Sequence, residues 1–157
     1  MHDNPLYHGN LKSVAVPEYS RESVEEADSL FLGLMGIPFE SDWTTTIFRL
    51  AEATLQRQKM VTIWTCGYST TITQTTSVRP PDPIHPVSPS HECAYTMSEL
   101  AQALLNSYPE HLRWYVCQYC MEERGATNQI AEVEVKLPFS FNTYLNQADK
   151  SLVLGTK

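Results

Sequence analysis

The sequence predicts an α+β protein: a small mixed domain with N-terminal helices, an antiparallel strand pair, a capped helix and a cysteine-bearing hairpin. Three observations carry this reading. Residues 20–35 and 43–58 repeat apolar side chains at helical spacing. Residues 60–76 are crowded with β-branched and aromatic residues. Thr96-Met97-Ser98-Glu99 reads as a capping box, and the helix it opens precedes a strand running into Cys117-Gln118-Tyr119-Cys120.

Residues 1–19 read as a flexible arm punctuated by Pro5, Gly9 and Pro17. The first helix, 20–35, takes Ser20 as its cap. Glu22, Glu25 and Glu26 lie at its positive end, Val24, Ala27, Leu30, Phe31 and Leu34 form one stripe, and Gly36 with Pro38 stops it. The second, 43–58, starts from Ser41 or Asp42 and buries Ile47, Leu50, Ala51, Thr54 and Leu55. The run from Met60 to Thr76 reads as two strands turning near Cys66-Gly67.

Five prolines, Pro80, Pro81, Pro83, Pro86 and Pro89, make 79–91 an extended internal loop, a rigid connector before a polyproline ligand. The helix opened by Thr96 carries Met97, Leu100, Ala101, Leu104, Leu105 and Tyr108 on one stripe and ends before Pro109. His111 to Val116 reads as a strand. Residues 130–137 alternate, Ala131, Val133, Val135 and Leu137 against Glu132, Glu134 and Lys136, as a half-exposed strand does. The expected organisation is one domain over 20–150, with 151–157 as a tail.

Net charge is −7 over 157 residues, unevenly placed. Residues 1–45 hold eight acids and two bases, net −6; the remainder hold ten acids and nine bases, net −1. No basic stripe exists to neutralise phosphates, so nucleic acid and anionic membrane are disfavoured partners. The acidic segment reads as a solvated helix face, with docking of a basic partner as the alternative. No apolar run approaches the roughly 18 residues of a membrane helix. Met1-His2-Asp3-Asn4-Pro5 does not open a secretory signal, so an intracellular location, cytoplasmic or nuclear, is expected.

The chemistry-bearing residues are Cys66, Cys93, Cys117 and Cys120. In a reducing compartment a Cys-x-x-Cys with further cysteine or histidine reads first as a zinc site, ahead of buried free thiols or a redox pair. Zinc takes four tetrahedral thiolate or imidazole ligands, and one tight turn supplies two of them. The expected ligands are His91, Cys93, Cys117 and Cys120, around one structural zinc in a zinc-knuckle hairpin, with Cys66 in place of His91 as the main rival. His2, His8 and His85 read as solvated, and His111 as a strand-edge residue.

Zinc-dependent nucleoside and nucleobase deaminases carry a Cys or His, one residue, then Glu at a helix head, and a Pro-Cys-x-x-Cys after the next strand. Cys93-Ala94-Tyr95 before a helix and Cys117-x-x-Cys120 after a strand resemble that order across roughly residues 43–137. Tyr95 replaces the proton-shuttling Glu, however, and Val116 replaces the Pro. A phenol with a reference pKa of about 10 does not shuttle protons near neutrality as a carboxylate does. The expected function is therefore a non-enzymatic, zinc-stabilised adaptor or regulatory protein acting through protein–protein contacts. Its expected surfaces are the acidic N-terminal helix and the threonine-rich strands. Viral accessory proteins include small acidic zinc proteins of this type. The alternatives are a zinc-dependent deaminase-like or hydrolase enzyme, or a zinc-finger nucleic-acid-binding protein.

Overall fold

The computed structural model describes residues 26–38, 42–76 and 96–155. Five strands form one sheet: β1 (Ser29–Met35), β2 (Met60–Cys66), β3 (Leu112–Cys117), β4 (Glu134–Lys136) and β5 (Lys150–Gly155). Their spatial order is β4-β3-β2-β1-β5, and every pairing is parallel. Four α-helices are interspersed: α1 (Trp43–Leu55), α2 (Met97–Ser107), α3 (Gln118–Glu123) and α4 (Phe141–Gln147). Two 3-10 helices, Gly67–Thr73 and Pro138–Ser140, complete the described chain. No helix among these residues is long and apolar enough to cross a membrane.

This overturns the expected α+β class: the protein is α/β, and the antiparallel strand pair and knuckle hairpin are absent from the described residues. The first expected helix fails because Ser29–Met35 is an interior strand. β1 pairs with β2 on one side and β5 on the other. Such a strand is apolar on both faces, and a continuous apolar run also fills a helical stripe.

The second expected strand of the pair is instead the 3-10 helix 67–73. Its threonines satisfy their own backbone: Thr70 Oγ1 donates to Gly67 O at 2.9 Å and Thr71 Oγ1 to Tyr68 O at 2.7 Å. Such local bonds compete with a sheet ladder. The expected hairpin after β3 is helix α3, whose N-cap is Cys117. The segment read as a tail supplies β5, and the expected 130–137 strand shrinks to the three residues of β4.

Two expected helices are found. α1 ends at Leu55 rather than 58 and buries Ile47, Ala51 and Leu55 of the expected stripe together with Phe48, while Leu50 and Thr54 are half-buried; Asp42 is its N-cap. α2 opens on the expected capping box: Glu99 N–H donates to Thr96 Oγ1 at 3.2 Å, and Thr96 N–H to Glu99 Oε2 at 2.6 Å. The arm at 1–19 and the proline-rich loop at 79–91 lie outside the described residues.

Strand alternation sorts the core into two layers. One face of the sheet presents Leu32, Leu34, Val61, Ile63, Trp114 and Val116, which pack against α1 and α2. The other presents Phe31, Trp64, Tyr115 and Cys117, with Phe141, Tyr144 and Leu145 of α4 against them. Tyr115 stacks on Tyr144 at 4.2 Å, and the Phe141 ring meets Phe31 and Trp64 edge-on. Parallel sheets bury both faces, and α4 provides this second cover.

Candidate metal centre

In a parallel sheet all strands end on one edge, and in open α/β folds that edge is where ligands gather. Here it carries thiols. β2 ends in Trp64-Thr65-Cys66 and β3 in Tyr115-Val116-Cys117. The register pairs Trp64 with Tyr115 and Thr65 with Val116. With a two-residue side-chain period, Cys66 and Cys117 follow Trp64 and Tyr115 onto the same face, side by side at the strand ends. One turn of α3 then returns Cys120 to them. The Cys66, Cys117 and Cys120 sulfurs all lie within 4.8 Å of one another, and Cys66 and Cys120 approach to 3.1 Å.

The surrounding loops hold this corner. Gly36 and Gly67 end β1 and β2 with φ of 93° and 62°. A Cβ on Gly67 would stand 3.3 Å from the Gly36 backbone N, so the two turns meet closely. Ser69 Oγ donates to Gly36 O at 3.0 Å. The 67–73 helix is tied to the chain beyond α3 through Gln129, whose Nε2 donates to Thr70 O and Ala126 O. Arg124 caps the arrangement, with its guanidinium 4.9 Å from the centre of the Tyr68 ring.

The three thiols are electrostatically unequal. Burial, the Cys120 side chain and the neighbouring sulfurs push the Cys66 thiol up to about 12. Burial also raises Cys117, opposed by the Cys120 amide. At Cys120 burial works upward, but the Gly67 N–H, the other two thiols and the Arg124 charge together hold it below its ordinary value. Cys120 is thus the thiol its surroundings push toward the thiolate, and it shares a hydrogen bond with Cys66. Cys117 is 1% exposed, whereas Cys66 and Cys120 are half-buried.

Of the expected ligands, Cys117 and Cys120 stand together, and His91 and Cys93 lie outside the described residues. Cys66, ranked in the sequence as the rival to His91, joins the pair. The signal for it was present: two β-rich runs each end in aromatic, β-branched residue, cysteine. His111 lies at the opposite end of β3 from the thiols, just before Leu112. Three converging thiols are a candidate site for a metal ion.

No family model matches the chain, and no curated protein matches it. Solved structures do resemble it. The ychN protein from E. coli superposes with a TM-score of 0.61 at 17% identity, covering 82% of this chain and 100% of its own. A conserved protein of unknown function from Bacteroides thetaiotaomicron gives 0.53 at 16%, covering 81% and 95%. At these identities the likeness establishes a shared small α/β fold.

Proposed function

We propose that the protein binds one zinc ion through Cys66, Cys117 and Cys120, and that the ion serves structure in a non-enzymatic adaptor or regulatory protein of a reducing compartment. The observation that carries this reading is the convergence of three thiols, from two strand ends and one helix, within 4.8 Å. Zinc bound there ties β2, β3 and α3 together. A structural zinc contributes on the order of 10 kcal/mol of apparent binding free energy, comparable with the whole stability of a domain. The fourth tetrahedral position falls to a further ligand, for which His91 and Cys93 are the sequence's candidates.

The adaptor role is supported by exposed apolar side chains in and just after the short edge strand β4. Val135 and Leu137 are exposed, and Phe139 is 79% exposed. Exposed apolar side chains grouped in one stretch of chain are a natural surface for protein contacts.

The test is metal analysis of the purified full-length chain with a chelator melt. About one zinc per chain and a lower melting temperature after chelation are expected. A protein that takes up no zinc and melts identically with and without chelator contradicts the reading. Absorption at the zinc edge separates the roles. Four sulfur or nitrogen ligands mark a structural ion, and an oxygen in the fourth position favours the enzymatic alternative.

A further inference from the structure

We propose that Cys66 and Cys120, rather than the Cys117-x-x-Cys120 pair, close a reversible disulfide that expels the metal, with a low-molecular-weight disulfide as oxidant. The release half rests on the zinc reading above; the disulfide half stands on the thiol geometry alone. Thiolates sharing a tetrahedral zinc, with Zn–S near 2.3 Å, stand about 3.8 Å apart. Cys66 and Cys120 already stand at 3.1 Å, closer than coordination requires. A disulfide bond spans about 2.0 Å. The pair thus lies between its two bonded states, and about 1 Å of further approach closes it.

Access selects the same pair. Cys117 is shielded beneath the aromatic layer of Tyr115 and α4, at 1% exposure, while Cys66 and Cys120 are reachable from solvent. The pair also joins two different elements, the end of β2 and the middle of α3, 54 residues apart in sequence. Oxidation therefore replaces the metal's tie between those elements with a covalent one and removes two of the three clustered thiolates that hold it.

The exchange balances. One thiolate of the pair attacks a sulfur of the oxidant, forming a mixed disulfide and expelling the oxidant's first thiolate. The second cysteine attacks the protein sulfur of that mixed disulfide and expels the other. Two cysteine thiols and one oxidant disulfide become one cystine and two free thiols. Two electrons pass to the oxidant, and the two protons of the pair end on the released thiols. Where the ion is bound, the pair enters as thiolates, the ion departs to solvent, and the oxidant's thiolates take their protons from water.

The test treats full-length protein, zinc-loaded and metal-free, with oxidised glutathione under native conditions. Remaining thiols are alkylated and the cross-links mapped by non-reducing peptide mass spectrometry. The expected result is a Cys66–Cys120 link in both arms, about one zinc released per link in the loaded arm, and reversal of both by dithiothreitol. A Cys66→Ala variant should instead hold glutathione on Cys120. A Cys117–Cys120 link, a link to Cys93, or no link overturns the pairing. Zinc retained by cross-linked protein overturns the release. Protein that never loads zinc defeats the metal reading, and the metal-free arm still decides the disulfide.

Discussion

Cys66 Sγ and Cys120 Sγ stand 3.1 Å apart at the carboxyl edge of the sheet, brought there by a strand end and a helical turn 54 residues away. Cys117 is the third corner. Removing one corner leaves a metal two thiolates and dissolves the tie between β2 and α3. Cys120→Ser should lower zinc content and melting temperature together, measured by elemental analysis and calorimetry. Unchanged stability with full zinc occupancy would show that the thiols do not hold an ion.

The unequal acidities give a pH dependence with a defined sign. Folding raises the Cys66 thiol from roughly 8.5 in an unfolded chain to about 12. The neutral thiol therefore favours the folded, metal-free protein. That contribution is complete below about pH 8.5 and is lost as pH rises toward 12. Cys120, held below its ordinary value, acts in the opposite sense, so the comparison must isolate Cys66. Metal-free Cys66→Ala should lose less melting temperature than the parent over that window. Metal binding, which requires thiolates, should strengthen with pH. Parallel melting curves for parent and variant from pH 8 to 11 would count against this.

Gly67 tests whether the turns at the strand ends position the thiols. Its φ of 62° costs a side chain about 1–2 kcal/mol, and an added Cβ presses on Gly36 N at 3.3 Å. Gly125 has φ of 64° with nothing within 4 Å of an added Cβ, so it carries the same strain without the clash. Both alanine variants should melt lower. Gly67→Ala alone should also weaken zinc retention in a chelator competition, because the shift falls on the residue next to Cys66.

The sequence made α1, α2 and the strand character of β2, β3 and β4 legible, but not β1, β5, α3, α4 or the parallel pairing. α1 and α2 announce themselves through amphipathic spacing, and Thr96 with Glu99 marks the start of α2. These are local signals, complete within one or two turns. β1 has no such signal, because Phe31 on one face and Leu32 and Leu34 on the other are all buried, and the run lacks alternation. β5, Lys150 to Gly155, looks featureless because its place is set by pairing with β1, about 120 residues earlier. The cysteines follow the same division. Cys117-x-x-Cys120 is a local motif; Cys66 becomes its neighbour only through the parallel register of β2 and β3.

The capping box at α2 provides a stability measurement separate from the thiols. Thr96 Oγ1 accepts from the Glu99 amide, and the Glu99 carboxylate answers at the Thr96 amide. Thr96→Ala should cost about 1 kcal/mol, seen as a lower denaturant midpoint at unchanged slope. Zinc stoichiometry should stay at the parent value.

Beside its ladder with β1, the start of β5 is tied to the start of β1 by one carboxylate. Asp149 Oδ2 accepts from the Asp28 amide at 3.0 Å and from the Ser29 amide and hydroxyl at 2.9 Å each, and the Asp149 N–H returns a bond to Ser29 Oγ. The Ser29 hydroxyl and the Asp28 amide hold this carboxyl below its ordinary value. The stabilising contribution is thus present above the unfolded value of about 3.9 and lost as pH falls through the depressed folded value. Asp149→Asn removes the charge at nearly constant size and should reproduce the acid state at neutral pH. Hydrogen exchange in the peptide covering Lys150 to Gly155 should accelerate in the variant, and in the parent only under acid, while β2 and β3 stay protected. Equal exchange in variant and parent at neutral pH would place the anchoring of β5 in its ladder with β1 instead.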